Sequence, residues 1–214
     1  MAHSYFHTKS SYEKFGGDYK AHEDLHNWFD ATKAVTANFR HRALRHFDTS
    51  HMLYPSGLWS SKYPILDQAF NQHLKEDFGF VPKLNFWLDC LEEQDWMKPV
   101  IKDPTKIPGF IAKKFGGVYE DYEFLVEFFE SYSRLTDYSI KGNYVSNHSW
   151  GIFDLEAIEG VTFKRSDGKD VPTRFFAEKY LIFKYGKIPT ALDWLENIKE
   201  DNRMWNNAEQ LSKQ

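Results

Sequence analysis

Histidine, aspartate and arginine recur at four-residue spacings in the first third of the chain. His26 and Asp30, Arg42 and His46, and His73 and Asp77 each form an i, i+4 pair, the spacing that sets two side chains on one helix face. If the three helical stretches converge, His26, Asp30, His46, His73 and Asp77 offer neutral imidazoles and carboxylates, a donor set suited to a divalent transition metal. Such an ion is the candidate cofactor, and a water bound to it would be activated for hydrolysis. The same pairs can also serve as helix-internal salt bridges and hydrogen bonds that hold one module together. A second cluster, Arg40, His41, Arg42 and Arg45, forms a basic arc with His46. Guanidinium forks match phosphate and carboxylate groups, so the arc is a candidate anion site, the alternative being bridges to Glu23 and Asp24 on the preceding helix.

The remaining candidates carry less chemistry. His3 and His7 are a further i, i+4 pair near the start, where solvated side chains are expected. His51 stands alone, and His148, before Ser149 and Trp150, suits a cap or a packing role. Cys90 is the single cysteine, so an internal disulfide and a thiolate metal cluster are excluded, and a buried thiol is expected. The chain has no Gly-x-Ser-x-Gly elbow, Walker A loop or dinucleotide-type glycine loop.

The elements that position these residues read as helices, arranged twice. Lys14-Phe15-Gly16-Gly17 returns as Lys114-Phe115-Gly116-Gly117, and Tyr19, Glu23, Leu25 and Phe29 return at the same offset of 100. Further on, Leu74, Gly79, Pro82, Trp87 and Leu88 return at an offset of 107 as Leu181, Gly186, Pro189, Trp194 and Leu195, an insertion of seven residues in the second copy. Two collinear blocks with glycine, proline and tryptophan in register mark a duplication. The expected modules are 1–102, the histidine-rich copy, and 108–214, a degenerate copy, with a linker across Lys102 to Pro108. In each, a Gly-Gly break precedes a helix whose Leu25, Trp28 and Phe29 share a face. Val35, Phe39, Ala43 and Phe47 form a stripe on a second helical stretch. A third helix, 65–78, ends at Gly79 with a proline stop at Pro82, and a short helix follows. In the second copy, strands near 161–173 flank Ser166-Asp167-Gly168-Lys169, a hairpin turn. Residues 200–214 read as a frayed helix that packs Trp205. The fold class is mainly α, two related helical modules in tandem with a small β-hairpin in the second.

Composition sets outer limits. In 214 residues, 42% are apolar and 18% aromatic, enough for a core rich in rings. Two modules of about a hundred residues are each near the size at which a core suffices alone. A 20-residue apolar run and a signal-peptide pattern are both missing, so a cytoplasmic protein without a membrane partner is expected. The net charge of −4 argues against general nucleic-acid binding. Eight of the nine histidines fall in the first 73 residues, which places any histidine chemistry in the first copy.

The His-x-x-x-Asp pair at 26–30, Phe39-Arg40-His41-Arg42-Ala43-Leu44, Gly151-Ile152-Phe153, the Asp-Gly hairpin and Gly186-Lys187-Ile188-Pro189 with Trp194-Leu195 together resemble a small helical domain-of-unknown-function family of phages and bacteria. The resemblance covers nearly the whole chain, here as a tandem duplication. It implies architecture and a phage or bacterial setting, and it brings no activity. The functional expectation is therefore an accessory protein acting mainly by binding a macromolecule, most simply a protein partner. The alternatives are a metal-dependent hydrolase with its His/Asp site in the N-terminal copy, and an anion- or phosphate-binding regulator built on the arginines.

Overall fold

The computed structural model describes residues 3–55, 64–137 and 139–200. In the first copy, α1 (Ser4–Phe15) is capped at its start by the His3 ring and stopped by Gly16, whose φ of 70° is a backbone state that glycine adopts at little cost. Asp18 caps α2 (Tyr19–Ala31), which buries His22, Leu25, His26 and Phe29 on one face. A short 3-10 helix, Phe39–Leu44, follows under an Asn38 cap, then α3 (Pro64–Phe78) and α4 (Leu84–Cys90). Leu25, Phe29, Tyr54, Leu66, Ala69, Phe70 and Leu74 form a closed apolar cluster between α2 and α3.

The second copy opens with α5 (Ile107–Phe115), stopped by Gly116, and breaks the counterpart of α2 into a 3-10 turn, α6 (Glu123–Phe129) and α7 (Ser131–Leu135). The 3-10 helix Ile140–Val145 leads into α8 (Ser149–Glu159), capped by His148 through its Nδ1. The hairpin is β1 (Thr162–Lys164) against β2 (Asp170–Pro172), antiparallel. Arg165 pins it to the end of α5 by donating to the Phe115 carbonyl at 2.9 Å. Then come α9 (Thr173–Tyr185), ended by left-handed Gly186, and α10 (Ala191–Leu195) with a Thr190/Asp193 capping box. The protein is thus mainly helical with one late hairpin, and among the described residues no helix is long and apolar enough to cross a membrane.

The two copies share a framework of equivalent bonds. His22 Nε2 meets the Gly16 carbonyl at 2.9 Å, and the Tyr122 hydroxyl donates to the Gly116 carbonyl at 2.6 Å. Trp87 Nε1 donates to the His46 carbonyl, and Trp194 Nε1 to that of Asn147. Phe29 and Phe129, Trp87 and Trp194 are all fully buried, and Trp28–Phe29 and Phe128–Phe129 make the same edge-to-face contact at 5.1 Å. These bonds refine the register. The caps Asn38 and Ser139, and the bonds Asp48 N to Pro82 O and Ser149 N to Pro189 O, set the offset at 101 through this segment. His46 therefore corresponds to Asn147, Arg42 to Asn143, and His41 to Gly142, rather than to the Lys141 that a constant offset of 100 would give.

One expected helix is absent. The stripe Val35, Phe39, Ala43, Phe47 does not run down an α-helix, because His41, Arg42, Ala43 and Leu44 are buried in succession, which a one-faced helix of 3.6-residue period cannot achieve. The chain instead tightens into a 3-10 turn. Packing also divides the chain differently from the repeat. The first unit runs to Leu91 and takes the segment from Ile198 onward, and the second is Glu92–Asn197. Within the first unit Ile198 bridges Leu91, Lys199 N donates to Cys90 O, and Arg40 Nε donates to the Ile198 carbonyl at 2.7 Å. The frayed helix expected over residues 200–214 lies, beyond Glu200, outside the described residues.

Candidate metal centre in the first copy

α2, α3, the 3-10 helix and the loop that follows it bring the candidate residues together. His73, on α3, is fully buried and lies flat on Phe29 at 4.1 Å with an interplanar angle of 4°. Its Nδ1 is 2.9 Å from His26 Nδ1 on α2, and its Nε2 is 3.2 Å from His46 Nε2. Asp77, one turn after His73, places Oδ2 3.4 Å from His46 Nε2, 3.8 Å from His73 Nε2 and 3.1 Å from the Arg42 guanidinium. Asp30 closes the other side: one ligand atom each from Asp30, His46 and His73 lie within 4.8 Å of one another. A tetrahedral ion with bonds of ~2.0–2.1 Å has ligand-to-ligand edges of about 3.4 Å, so closing this triad needs shifts of roughly 1 Å.

The electrostatics suit a cation. Burial disfavours the charged ring in each case, holding His26 down to about 3 and His41 to about 4, and lowering His46 and His73 as well. Neutral imidazole is the ligating form. Burial alone would raise the Asp77 carboxyl, but the His46 hydrogen bond and the Arg42 guanidinium reverse this and hold it well below the ordinary carboxylate range. Asp30 is held by Lys33 at 2.7 Å, with its side chain 18% exposed. His46 Nδ1 is buried with no hydrogen-bond partner among the described residues, an open position of the sort that marks a functional ring.

Of the five residues expected to ligate, Asp30, His46 and His73 converge and Asp77 stands beside them with Arg42. His26 stands behind His73, with Nε2 on Ser11 Oγ at 2.8 Å and Nδ1 on His73. The arginines of the basic arc go to separate partners: Arg40 to Ile198 O, Arg42 to Asp77, and Arg45 to the Trp28 carbonyl and indole face. Among the described residues, Glu23 and Asp24 instead hold Lys20. His41 donates through Nδ1 to the Asn38 carbonyl at 2.6 Å.

Three residues of the cluster escape pattern reading. His7, expected in solvent, is buried, with Nδ1 2.5 Å from Glu76 and Nε2 3.6 Å from Asp77. Ser11 bridges His22 and His26, both at 2.8 Å. Glu76 also accepts from Ser10 and Gln72. His7 and Ser11 escape it because α1 is inverted: it buries Ser4, His7, Thr8 and Ser11 and turns Tyr5 and Phe6 outward. The available signal was the repeat itself, since buried Ile107, Pro108 and Ile111 stand at the corresponding positions of α5.

The second copy fills the same place with a lysine. Tyr180 stacks on Phe129 as His73 does on Phe29. Lys184, the counterpart of Asp77, is buried and pairs with Glu130, the counterpart of Asp30. Its ammonium also donates to Asn147 Oδ1 at 3.0 Å and Asn143 Oδ1 at 3.3 Å, and Tyr180 donates to Glu130 at 2.8 Å. Burial lowers the lysine, opposed by Glu130, while burial together with Glu130 raises Tyr180 well above its ordinary value.

No curated protein and no solved structure matches the chain. One family model, described as a domain of unknown function (DUF6915), matches residues 2–97 and again residues 106–204. Those two spans are the two copies that share the Phe29/Phe129 and Trp87/Trp194 framework, and the chain belongs to this family as a tandem pair of its domains.

Proposed function

We propose that the first copy binds a divalent transition metal through Asp30, His46 and His73, and that the protein acts as a metal-dependent hydrolase. The observation that carries this reading is the Lys184 ammonium. In the second copy a cation stands between Glu130 and Asn147, the counterparts of Asp30 and His46. Glu130 and Lys184 sum to zero at a buried ammonium, whereas in the first copy Asp30, Asp77 and Arg42 sum to −1 beside two buried imidazoles and are balanced from the rim by Lys33, one-third exposed and 2.7 Å from Asp30. Where the second copy carries a buried cation covalently, the first sets Asp30, His46 and His73 with ligand atoms within 4.8 Å of one another. Asp30, His46 and His73 would hold the ion, which when bound would supply an activated water for hydrolysis. Asp30 is the ligand with solvent exposure, so water and substrate approach from its side.

The test is metal analysis of the full chain after supplementation with Zn2+, Mn2+ or Co2+, followed by assay on chromogenic esters and phosphodiesters. A stoichiometric ion, lost in His46→Ala and His73→Ala with the circular dichroism unchanged, is the expected result. A supplemented chain that retains no ion overturns the reading.

A second reading keeps the protein as a phage or bacterial accessory module that binds a protein partner. The observation in its favour is the outward face of α1, where Tyr5 is 54% and Phe6 62% exposed, since exposed adjoining aromatics are a mark of contact surfaces. Light scattering of the full chain and of Tyr5→Ser/Phe6→Ser tests its simplest form, self-association. A concentration-dependent mass that the substitutions abolish supports it, and a monomer at all concentrations removes that form.

A further inference from the structure

The first copy holds an unbroken line of hydrogen-bonding groups from a backbone carbonyl to the candidate ligand: Gly16 O, His22, Ser11, His26, His73. The separations are 2.9 Å, 2.8 Å, 2.8 Å and 2.9 Å in that order. Four of its members, Ser11, His22, His26 and His73, are wholly or almost wholly buried.

A carbonyl can only accept, which fixes the direction of every proton along the line. His22 must place its proton on Nε2 to meet Gly16. With one proton on that ring, its Nδ1 is bare and takes the single hydroxyl proton of Ser11, at 2.8 Å against 3.2 Å for the competing Thr8 carbonyl. The Ser11 oxygen then accepts from His26 Nε2–H. The Nδ1 of His26 is left bare and accepts from His73 Nδ1–H, so Nε2 of His73 carries a lone pair and no proton. Reversing any one step sets two protons, or none, between neighbouring atoms.

We propose that Ser11, His22 and His26 are positioning residues that lock His73 in its Nδ1–H tautomer and so present its Nε2 lone pair to the Asp30/His46/His73 site. Its purpose rests on the metal reading, but the tautomers themselves belong to the metal-free protein. A metal-binding histidine generally donates its other ring N–H to a partner that orients it, and here that partner is an imidazole whose own tautomer is set two residues further back.

The second copy shows that the fold does not require the line. At the positions of Ser11, His22, His26 and His73 it has Ile111, Tyr122, Val126 and Tyr180. Tyr122 keeps the terminal bond to the Gly116 carbonyl, while Ile111 and Val126 are buried apolar side chains in the same framework. The relay accompanies the copy with the acidic, histidine-bearing centre and is missing from the copy closed by Lys184.

Long-range 15N–1H correlation spectra of the metal-free full chain report which ring nitrogen is protonated. The expected result is Nε2–H for His22 and His26 and Nδ1–H for His73. In Ser11→Ala, which Ile111 indicates the fold accepts, His26 loses its acceptor, the Nε2–H form of His73 becomes populated, and Zn2+ affinity falls about 10–100-fold. Ser11→Thr, which restores the hydroxyl, brings both back. The proposal is overturned if His73 carries its proton on Nε2 in the wild type, or if Ser11→Ala leaves the tautomers and the Zn2+ affinity as they were. Wild-type chain with the expected tautomers but without Zn2+ binding removes the metal reading and leaves the tautomer lock standing.

Discussion

Asp77 and Lys184 stand at the same position of the two copies, four residues after the ring that lies on Phe29 or Phe129, with opposite charges. Lys184 is buried and Asp77 keeps 8% of its side chain exposed, and each is the hub of its cluster. Asp77 gathers Arg42, His46 and His7, while Lys184 gathers Glu130, Asn143 and Asn147. One framework therefore holds two opposite solutions to a buried charge. Duplication let the second copy satisfy its acid from within its own chain, while the first kept two acids, two neutral imidazoles and one guanidinium.

Lys184→Met strands Glu130, whose side chain is 7% exposed, beside a tyrosine that cannot neutralise it. Breaking one side of a buried ion pair costs about 3–5 kcal/mol, and the urea midpoint should fall accordingly. Lys184→Met/Glu130→Gln removes both charges and should recover most of that loss. A double variant no more stable than the single one would show that packing around the lysine stem, rather than the charge, is what the site requires.

The metal-free protein should be acid-labile in a defined window. His26 and His41, held down to about 3 and about 4 by burial, bind no proton in the folded state where the unfolded chain, with histidines near 6.5, already does. The unfolded state gains protons first, so stability is full above about pH 6.5 and falls as the pH drops toward those lowered values. Each ring contributes up to about 1.4 kcal/mol per pH unit. Denaturant titrations between pH 7.5 and 4.5 read the slope, which His41→Phe should reduce. A flat profile through that window would sink the prediction.

How much of this was legible in the sequence differs between framework and site. Phe29, Trp87, Gly16 and their partners repeat because a shared core needs the same rings and turns, so duplication, helix order and hairpin could all be read from spacing. The pairs His26/Asp30 and His73/Asp77 were legible for the same reason: α2 and α3 are ordinary one-faced helices. Arg42 and His46 do reach the same carboxylate, but from a 3-10 turn and the loop just after it, because four consecutive buried residues leave no outer face for an α-helix. His7 and Ser11 were hidden, since a helix with polar residues inside and Phe6 outside looks like a solvated terminus unless it is aligned with Ile107 and Ile111. Asn143 and Asn147 were hidden by the single-residue change of register, which shifts every pairing in that segment by one.

Lys33 tests the role of Asp30. Its ammonium lies 2.7 Å from the carboxylate and is one-third exposed, so it competes with any ion that uses Asp30. A pair of this exposure is worth about 0.2–1 kcal/mol, which predicts that Lys33→Ala tightens Zn2+ binding by up to about fivefold, while Asp30→Ala weakens it. Isothermal titration of the two variants checks the opposite signs. Weaker binding in Lys33→Ala would place Asp30 outside the ligand set.

Two helical glycines should respond in opposite ways to the same substitution. Gly109, in the first turn of α5, has no atom within 4 Å of where a Cβ would stand. Gly109→Ala should therefore raise stability by about 0.4–1 kcal/mol, by restricting the unfolded chain. Gly151, in the first turn of α8, would set its Cβ 1.9 Å from the Ser146 carbonyl oxygen. The helix-propensity gain of about 1 kcal/mol cannot survive a contact that must open by more than 1 Å, and overpacking of this kind costs typically 1–3 kcal/mol. Ser146 precedes Asn147, which accepts from the Lys184 ammonium and whose carbonyl accepts from Trp194. The strain in Gly151→Ala therefore falls on the bonds that close the second copy. Denaturant midpoints of the two variants should move apart, up for Gly109→Ala and down for Gly151→Ala. If both rose, the turn between Ser146 and α8 would be softer than this packing allows, and close approach of the chain would not be the reason for glycine at 151.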